Sequence, residues 1–293
     1  MAIRYEAIDN FKNALECLPI LRGLVDWYHC AVYGSFARYM FECKEVGFDQ
    51  VDEFLTHSDI DVKVCIKKCA SATKMFVKLF KYLSEQGAVV EFAGQVYPIH
   101  ENELKLDLEV PWYMKGYWMY GNYFVWVPYG SKYIKIDLYV YTQRVDPIEY
   151  YDFTVNNFLF YRLHCEPTKF KYFYELEKPY KINTMEDLDN RAIMPMCHKD
   201  LSPYSLVKRL FRSTKLWKLG YRIRTEEAKQ AMKLMYEEGR KYTGPIYIYK
   251  TYHNCPSQDS KEICVTKYEK DKITMADIEQ MPEFTELLRQ VSQ

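Results

Sequence analysis

Apolar positions along the chain change their spacing several times, and each change marks an element. In residues 9–28, Phe11, Leu15, Leu18, Leu21, Leu24 and Val25 recur at three- and four-residue intervals, which predicts one amphipathic helix with Asp9 as its N-cap. Ala31-Val32-Tyr33 reads as a short strand running into Gly34-Ser35, followed by helical turns over Phe36 to Glu42. Lys44 to Ser58 is polar without a strong period and is expected to be a loop. Ile60, Val62, Val64 and Ile66 alternate with Asp59, Asp61, Lys63 and Cys65, the pattern of a strand with one buried and one polar face. A helix follows over roughly 69–86, with Met75, Leu79, Tyr82 and Leu83 on its apolar side and Gly87 as its stop.

Period-two patterns dominate 88–141. Leu104, Leu106, Leu108 and Val110 alternate with Lys105, Asp107 and Glu109, and Tyr123–Val127 and Tyr133–Tyr141 are joined by the hairpin-type link Pro128-Tyr129-Gly130-Ser131. Trp112 to Tyr120 is dense in aromatics. From about residue 152 the pattern becomes helical, with Leu206, Leu210, Leu216 and Leu219 and later Ala228, Met232 and Met235; a late strand is expected in 244–252 and a short closing helix after it. The series predicts an α+β protein: a mixed, mostly antiparallel sheet flanked by helices over 1–160, then a smaller, mainly helical domain over 161–293.

Composition adds limits. A chain of 293 residues suits two domains of about 150 residues each. With 48% hydrophobic residues, and 40 Lys and Arg balanced by 40 Asp and Glu, it is neither wholly disordered nor histone-like. The 28 tyrosines favour a sheet-rich portion. No secretory h-region opens the chain and no apolar run reaches a membrane-spanning length; with nine cysteines, an odd number without framework spacing, this predicts a cytoplasmic protein with reduced thiols. His253, Cys255 and Cys264 lack a Cys-x-x-Cys pair and read as buried or loop side chains rather than a zinc site.

The overall neutrality is a cancellation. Residues 199–250 hold thirteen Lys and Arg against five Asp and Glu, while 1–198 hold 22 against 27 and 251–293 hold five against eight. Lys208, Arg209, Arg212, Lys215 and Lys218 fall at helical spacing, so one helix face is expected to carry a basic stripe opposite its leucines.

The candidate chemistry lies upstream. Gly34-Ser35 stands at a strand-to-helix turn, where small residues let backbone N–H groups approach a phosphate. Asp59-Ile60-Asp61 sets two carboxylates on one face of a strand, where their repulsion is relieved by a divalent cation. A third carboxylate on a neighbouring strand would complete a two-metal site; Asp137 in Lys135-Ile136-Asp137 fits, and Asp107 with Glu109 is the alternative.

Strand, Gly-Ser, helix, Asp-x-Asp strand, helix and a hairpin with a lone Asp is a layout that resembles the polymerase-β-like nucleotidyltransferase superfamily. A narrower resemblance, to class II CCA-adding enzymes and bacterial poly(A) polymerases, runs from residue 31 to about 225 in four ordered motifs. Gly34-Ser35-Phe36-Ala37-Arg38 is similar to the GGxVR start, and Asp152-Phe153-Thr154-Val155-Asn156-Asn157 to RRDFTxNA. Asp187-Leu188 with Arg191-Ala192-Ile193 resembles DLxxxxIR, and Leu206 to Ile223 resembles the neck helix with its KLGF-type end. The resemblance implies a nucleotidyltransferase head and a neck-like domain. Asp59, Asp61 and Asp137 would bind Mg²⁺ or Mn²⁺, and Gly34, Ser35, Arg38, Asp152, Asn156, Arg209 and Arg212 would contact an NTP substrate or RNA backbone. It also implies RNA as partner of the basic helix 206–224.

The chain departs from that pattern in several places. The interval from Ser35 to Asp59 is about ten residues longer than usual in the family, and Tyr150-Tyr151 replace the two arginines before the DFT motif. The neck segment Tyr204-Ser205-Leu206-Val207-Lys208-Arg209 lacks the Asp of the family's base-reading EDxxR motif. About seventy residues follow Gly220, too few for the tRNA-holding body, which leaves RNA grip to a partner protein or shifts the acceptor to a small molecule or a protein hydroxyl. A non-catalytic nucleotide- or RNA-binding relative is the remaining alternative.

Overall fold

The computed structural model describes residues 4–65, 72–92, 121–130, 132–141, 152–166, 169–176, 184–196, 201–249 and 270–292. The chain divides into two compact units, the first comprising residues 1–147, 158–177 and 253–264, and the second 148–157, 178–252 and 265–293. The architecture is α+β, with a mixed, mostly antiparallel sheet and its helices in the first unit and a mainly helical second unit.

The first unit opens with α1 (Tyr5–Cys17) and α2 (Pro19–Tyr28). The single helix expected over 9–28 is thus two, because Pro19 has no N–H to donate back and takes the first position of a new helix. Asp9 is not a cap; α1 has begun four residues earlier, and Asp9 pairs with Lys12 at 2.7 Å on its exposed side. After β1 (Ala31–Tyr33) and α3 (Gly34–Glu42) comes α4 (Phe48–His57), where the polar pattern predicts a loop. Among the described side chains of α4, Val51 and Leu55 are fully buried, too few for a period to register, and Phe54 adds an edge contact to Phe36 of α3 with ring centroids 5.0 Å apart. Then follow β2 (Ile60–Cys65), α5 (Ala72–Glu85), β3 (Val89–Phe92), β4 (Gly121–Tyr129) and β5 (Lys132–Tyr141). The β4–β5 turn carries Gly130 at φ +59°, so the expected hairpin closes where a left-handed residue is tolerated.

Two further strands, β6 (Phe158–Glu166) and β7 (Lys169–Leu176), stand where a helical pattern is expected. Phe158, Leu159 and Phe160 are all buried, so this run has no polar alternation to mark it as strand. The sheet order is β3-β4-β5-β2-β1-β6-β7, antiparallel throughout except for the parallel β2–β5 pair. Its paired core residues Val62, Leu138, Val32 and Phe160 are each 0% exposed. Phe80 of α5 meets Tyr123 of β4 edge-on at 4.9 Å, and Phe11 of α1 meets Phe160 at 4.7 Å.

The second unit holds a 3-10 turn (Thr154–Asn156), α6 (Thr184–Asp189), α7 (Pro203–Lys218), α8 (Glu226–Gly239), the two-stranded β8 (Ile246–Tyr249) and β9 (Lys270–Ile273), α9 (Met275–Glu279) and α10 (Pro282–Ser292). Ser202, Thr225 and Thr274 cap α7, α8 and α9 by accepting a backbone N–H from the third residue of each helix. Leu206, Leu210 and Leu216 of α7, Met232 and Met235 of α8 and Phe284 and Leu287 of α10 form its apolar centre.

Candidate metal centre

Strand register brings the three carboxylates together. Ile60, Val62 and Val64 of β2 and Ile134, Ile136, Leu138 and Val140 of β5 are at most 2% exposed, which commits the odd-numbered neighbours to the opposite face. In the parallel ladder Asp61 lies directly beside Asp137, and Asp59, two residues before Asp61, points to the same side. One oxygen from each of Asp59, Asp61 and Asp137 falls within a 4.8 Å cluster, the geometry of ligands sharing one ion. Hard carboxylate oxygens suit a hard divalent cation.

Lys135, a flank of Asp137 in the sequence, also belongs to the centre. Lys135 lies two before Asp137 on β5, and its ammonium donates to Asp59 Oδ2 at 2.8 Å and stands 2.9 Å from Asp137 Oδ1. Burial lowers the Lys135 pKa, but the Asp59 and Asp137 charges outweigh it and raise the value overall, so the ammonium stays charged. Burial, then the neighbouring Asp59 charge, raises the Asp137 pKa above the usual carboxylate range against the opposing pull of Lys135. The signal available in the sequence was the period-two spacing of Lys135 and Asp137, which places both on one face.

Gly34 adjoins this cluster because Tyr33 pairs with Asp61 across the β1–β2 ladder. Its φ is +72°, and a Cβ there would overlap Asp61 Oδ2, so both conformation and space require glycine. The expected phosphate-approach glycine is therefore also the residue that makes room for a candidate metal ligand. The Tyr33 side chain at the N-cap of α3 makes no capping hydrogen bond, and the helix starts at Gly34 and Ser35 beside the Asp61 carboxylate. Arg38, one turn into α3, is buried and pairs with Glu42 at 3.2 Å.

Asp152, Arg209 and Arg212 lie together in the second unit. Asp152 Oδ1 is 3.2 Å from Arg209 Nε, its Oδ2 accepts from Arg212, and Arg209 also donates to the Met196 carbonyl. Arg209 is 2% exposed, whereas the Arg212 side chain is 49% exposed. The expected basic stripe of α7 is therefore divided: Arg209 is internal, Lys218 meets Glu283 at 3.3 Å, and Lys215 lies over the Phe211 ring. Asn156 ends the 3-10 turn, its N–H donating to the Phe153 carbonyl.

The motifs that looked separate in sequence are hydrogen-bonded to one another. Thr154 N donates to Met194 O and Met196 N to Asp152 O, while Thr154 Oγ1 donates to Asp187 Oδ2 at 2.6 Å. Ile193 N donates to Arg222 O and Arg222 N to Arg191 O, with Arg191 Nη1 on Leu219 O. Asp107, Glu109, the aromatic stretch 112–120, Tyr150, Tyr151, His253, Cys255 and Cys264 lie outside the described residues. Among the described residues no helix is long and apolar enough to cross a membrane.

No protein-family model and no curated protein matches the chain.

Proposed function

We propose that the protein is a Mg²⁺- or Mn²⁺-dependent nucleotidyltransferase that moves a nucleoside monophosphate from an NTP to a hydroxyl, an RNA 3′ end, and releases pyrophosphate. The observation that carries this reading is the Asp59, Asp61 and Asp137 cluster set beside the N-terminus of α3. Carboxylates that share a cation and a helix start that welcomes phosphate are the two provisions such a transfer needs. The donor set fits the ion, since three carboxylates gather on one face and a buried ammonium already stands among them as a cation. A bound divalent ion would supply charge neutralisation at the phosphates and acidify the attacking hydroxyl.

The chain's own residues have simple tasks in this reading. Asp59, Asp61 and Asp137 hold the ion, and the backbone N–H groups of Gly34 and Ser35 receive the triphosphate. Arg38, paired with Glu42, braces the C-terminal half of α3 behind them. In the second unit the exposed Arg212 and Lys215 supply the attraction for RNA backbone, and Asp152, Arg209 and Asn156 hold the segment that presents them. The excess of positive charge over 199–250 supports RNA as acceptor, with affinity falling steeply as salt rises. A partner protein would extend that grip.

The test is incubation with each labelled NTP and Mg²⁺ or Mn²⁺, in the presence of short RNA, tRNA, or no added acceptor, beside an Asp59→Asn/Asp61→Asn variant. RNA extension by the wild type and none by the variant is the expected result. Label on the protein itself or on a small molecule would move the acceptor while keeping the chemistry. No variant-sensitive incorporation under any condition would remove the enzymatic reading.

A further inference from the structure

The Asp59, Asp61 and Asp137 cluster contains a cation of its own, and its placement constrains what else enters. The Lys135 side chain is 9% exposed, against 36% for Asp59 and 29% for Asp137. Its Nζ lies 2.8 Å from one carboxylate and 2.9 Å from the other, and 4.4 Å from the centroid of the Phe124 ring, which belongs to the residue paired with Asp137 across the β4–β5 ladder. A side chain held this way by two carboxylates and an aromatic face has little rotamer freedom left. Each carboxylate oxygen it engages is one that a divalent ion would also want.

Charge counting gives the consequence. With all three carboxylates ionised, the form that binds a cation, they carry −3, and Lys135 reduces this to −2, the charge that a single divalent ion balances. A second divalent ion then meets a neutral cluster, so it enters favourably only when phosphates bring further negative charge. Without Lys135 the three carboxylates would repel one another unrelieved, and the cluster would attract divalent ions more strongly.

We propose that Lys135 is a resident counter-cation of the carboxylate cluster: it holds Asp59 and Asp137 together in the metal-free protein and limits the cluster to one divalent ion until a triphosphate arrives. Lys135 is thus a positioning residue, acting through the carboxylates. The inference rests on the carboxylates holding a divalent ion, and it does not depend on nucleotidyl transfer.

Mn²⁺ titration followed by the signal of the free ion, without nucleotide, tests it in the wild type and in Lys135→Met, Lys135→Arg and Asp59→Asn/Asp61→Asn, alongside melting temperatures in EDTA and in saturating Mn²⁺. The wild type is expected to bind one Mn²⁺. Lys135→Met should bind Mn²⁺ at least about tenfold more tightly, because the ion no longer displaces an ammonium. It should also melt lower than the wild type in EDTA and show a larger rise on adding Mn²⁺. Lys135→Arg, which keeps the charge, should stay near the wild type in both measurements. Lys135→Gln, with the same expected direction, replaces the methionine variant if that one does not fold. Unchanged or weaker Mn²⁺ binding in the neutral variants, or a loss of stability equal with and without Mn²⁺, would show Lys135 to be only a structural lysine. A wild type that binds no more Mn²⁺ than the Asp59/Asp61 variant overturns the metal reading and this inference together. Tight Mn²⁺ binding with no nucleotide incorporation removes only the nucleotidyltransferase reading.

Discussion

Single residues of this protein differ sharply in what their loss should do, and burial decides which. Gly34 combines φ +72° with an absent Cβ whose space the Asp61 carboxylate fills. Gly34→Ala is therefore expected to cost about 1–3 kcal/mol in urea unfolding and to weaken Mn²⁺ binding, since Asp61 must move. Arg209, at 2% exposure, serves both Asp152 and the Met196 carbonyl. Replacing it with methionine removes one of the two arginines on Asp152 and the donor to the Met196 carbonyl, and a loss of about 1–3 kcal/mol is expected by the same measurement. Arg212 shares Asp152 but is half exposed, so Arg212→Ala should cost less than about 1 kcal/mol. If its role is contact with RNA backbone, that variant should keep the wild-type melting temperature yet bind short RNA more weakly and with a shallower salt dependence. Equal stability losses at Arg209 and Arg212 would contradict this division. The sequence placed both arginines on one basic stripe; it held no sign that one of them turns inward to a carboxylate about sixty residues away.

Elements were legible where their apolar period was complete and illegible where another chain segment supplied the burial. The alternation of β2 and β5 was readable, because each buries one face along its whole length. α4 was not, as Val51 and Leu55, the fully buried residues among its described side chains, leave almost no period. The split of α1 from α2 was written in the chain at Pro19, yet the continuous leucine spacing concealed it. β6 and β7 lie where a helical pattern is expected, because the buried run Phe158-Leu159-Phe160 shows no alternation; pairing of β6 with β1 and of β7 with β6 makes them sheet. Helix-on-helix packing yields a prediction of its own. Gly23, in the middle of α2, has the Tyr82 ring of α5 where a Cβ would stand, and the Tyr82 hydroxyl donates to Ile20 O at 3.3 Å. Alanine for a helical glycine ordinarily stabilises; here Gly23→Ala should destabilise by about 1–3 kcal/mol. The pair Gly23→Ala with Tyr82→Leu should cost clearly less than the sum of the two single changes in chemical denaturation, and simple additivity would refute the contact.

At the scale of the whole molecule, its aromatic content sets an alkaline limit. Burial raises Tyr82 and Tyr129 to about 12 and Tyr39 and Tyr123 further, whereas an unfolded tyrosine ionises near 10. A raised folded-state pKa means that the stability contribution is intact below pH 10 and is lost as pH climbs towards 12. Melting temperature should accordingly fall across that interval, with tyrosinate absorbance appearing late and together with unfolding; a flat melting temperature up to pH 12 would contradict it. By itself the sequence determined the α+β class, the strands that carry the acidic residues, the glycine turn and the local charge excess, because all of these follow from periodicity, turn chemistry and counting. Tertiary structure alone decided that β2 and β5 run side by side in parallel, with Asp61 against Asp137. It alone set Lys135 between two carboxylates and turned Arg209 inward. Periodicity tells which face a side chain occupies; which strand becomes its neighbour, and at what register, depends on pairings between residues some seventy apart that no local pattern encodes.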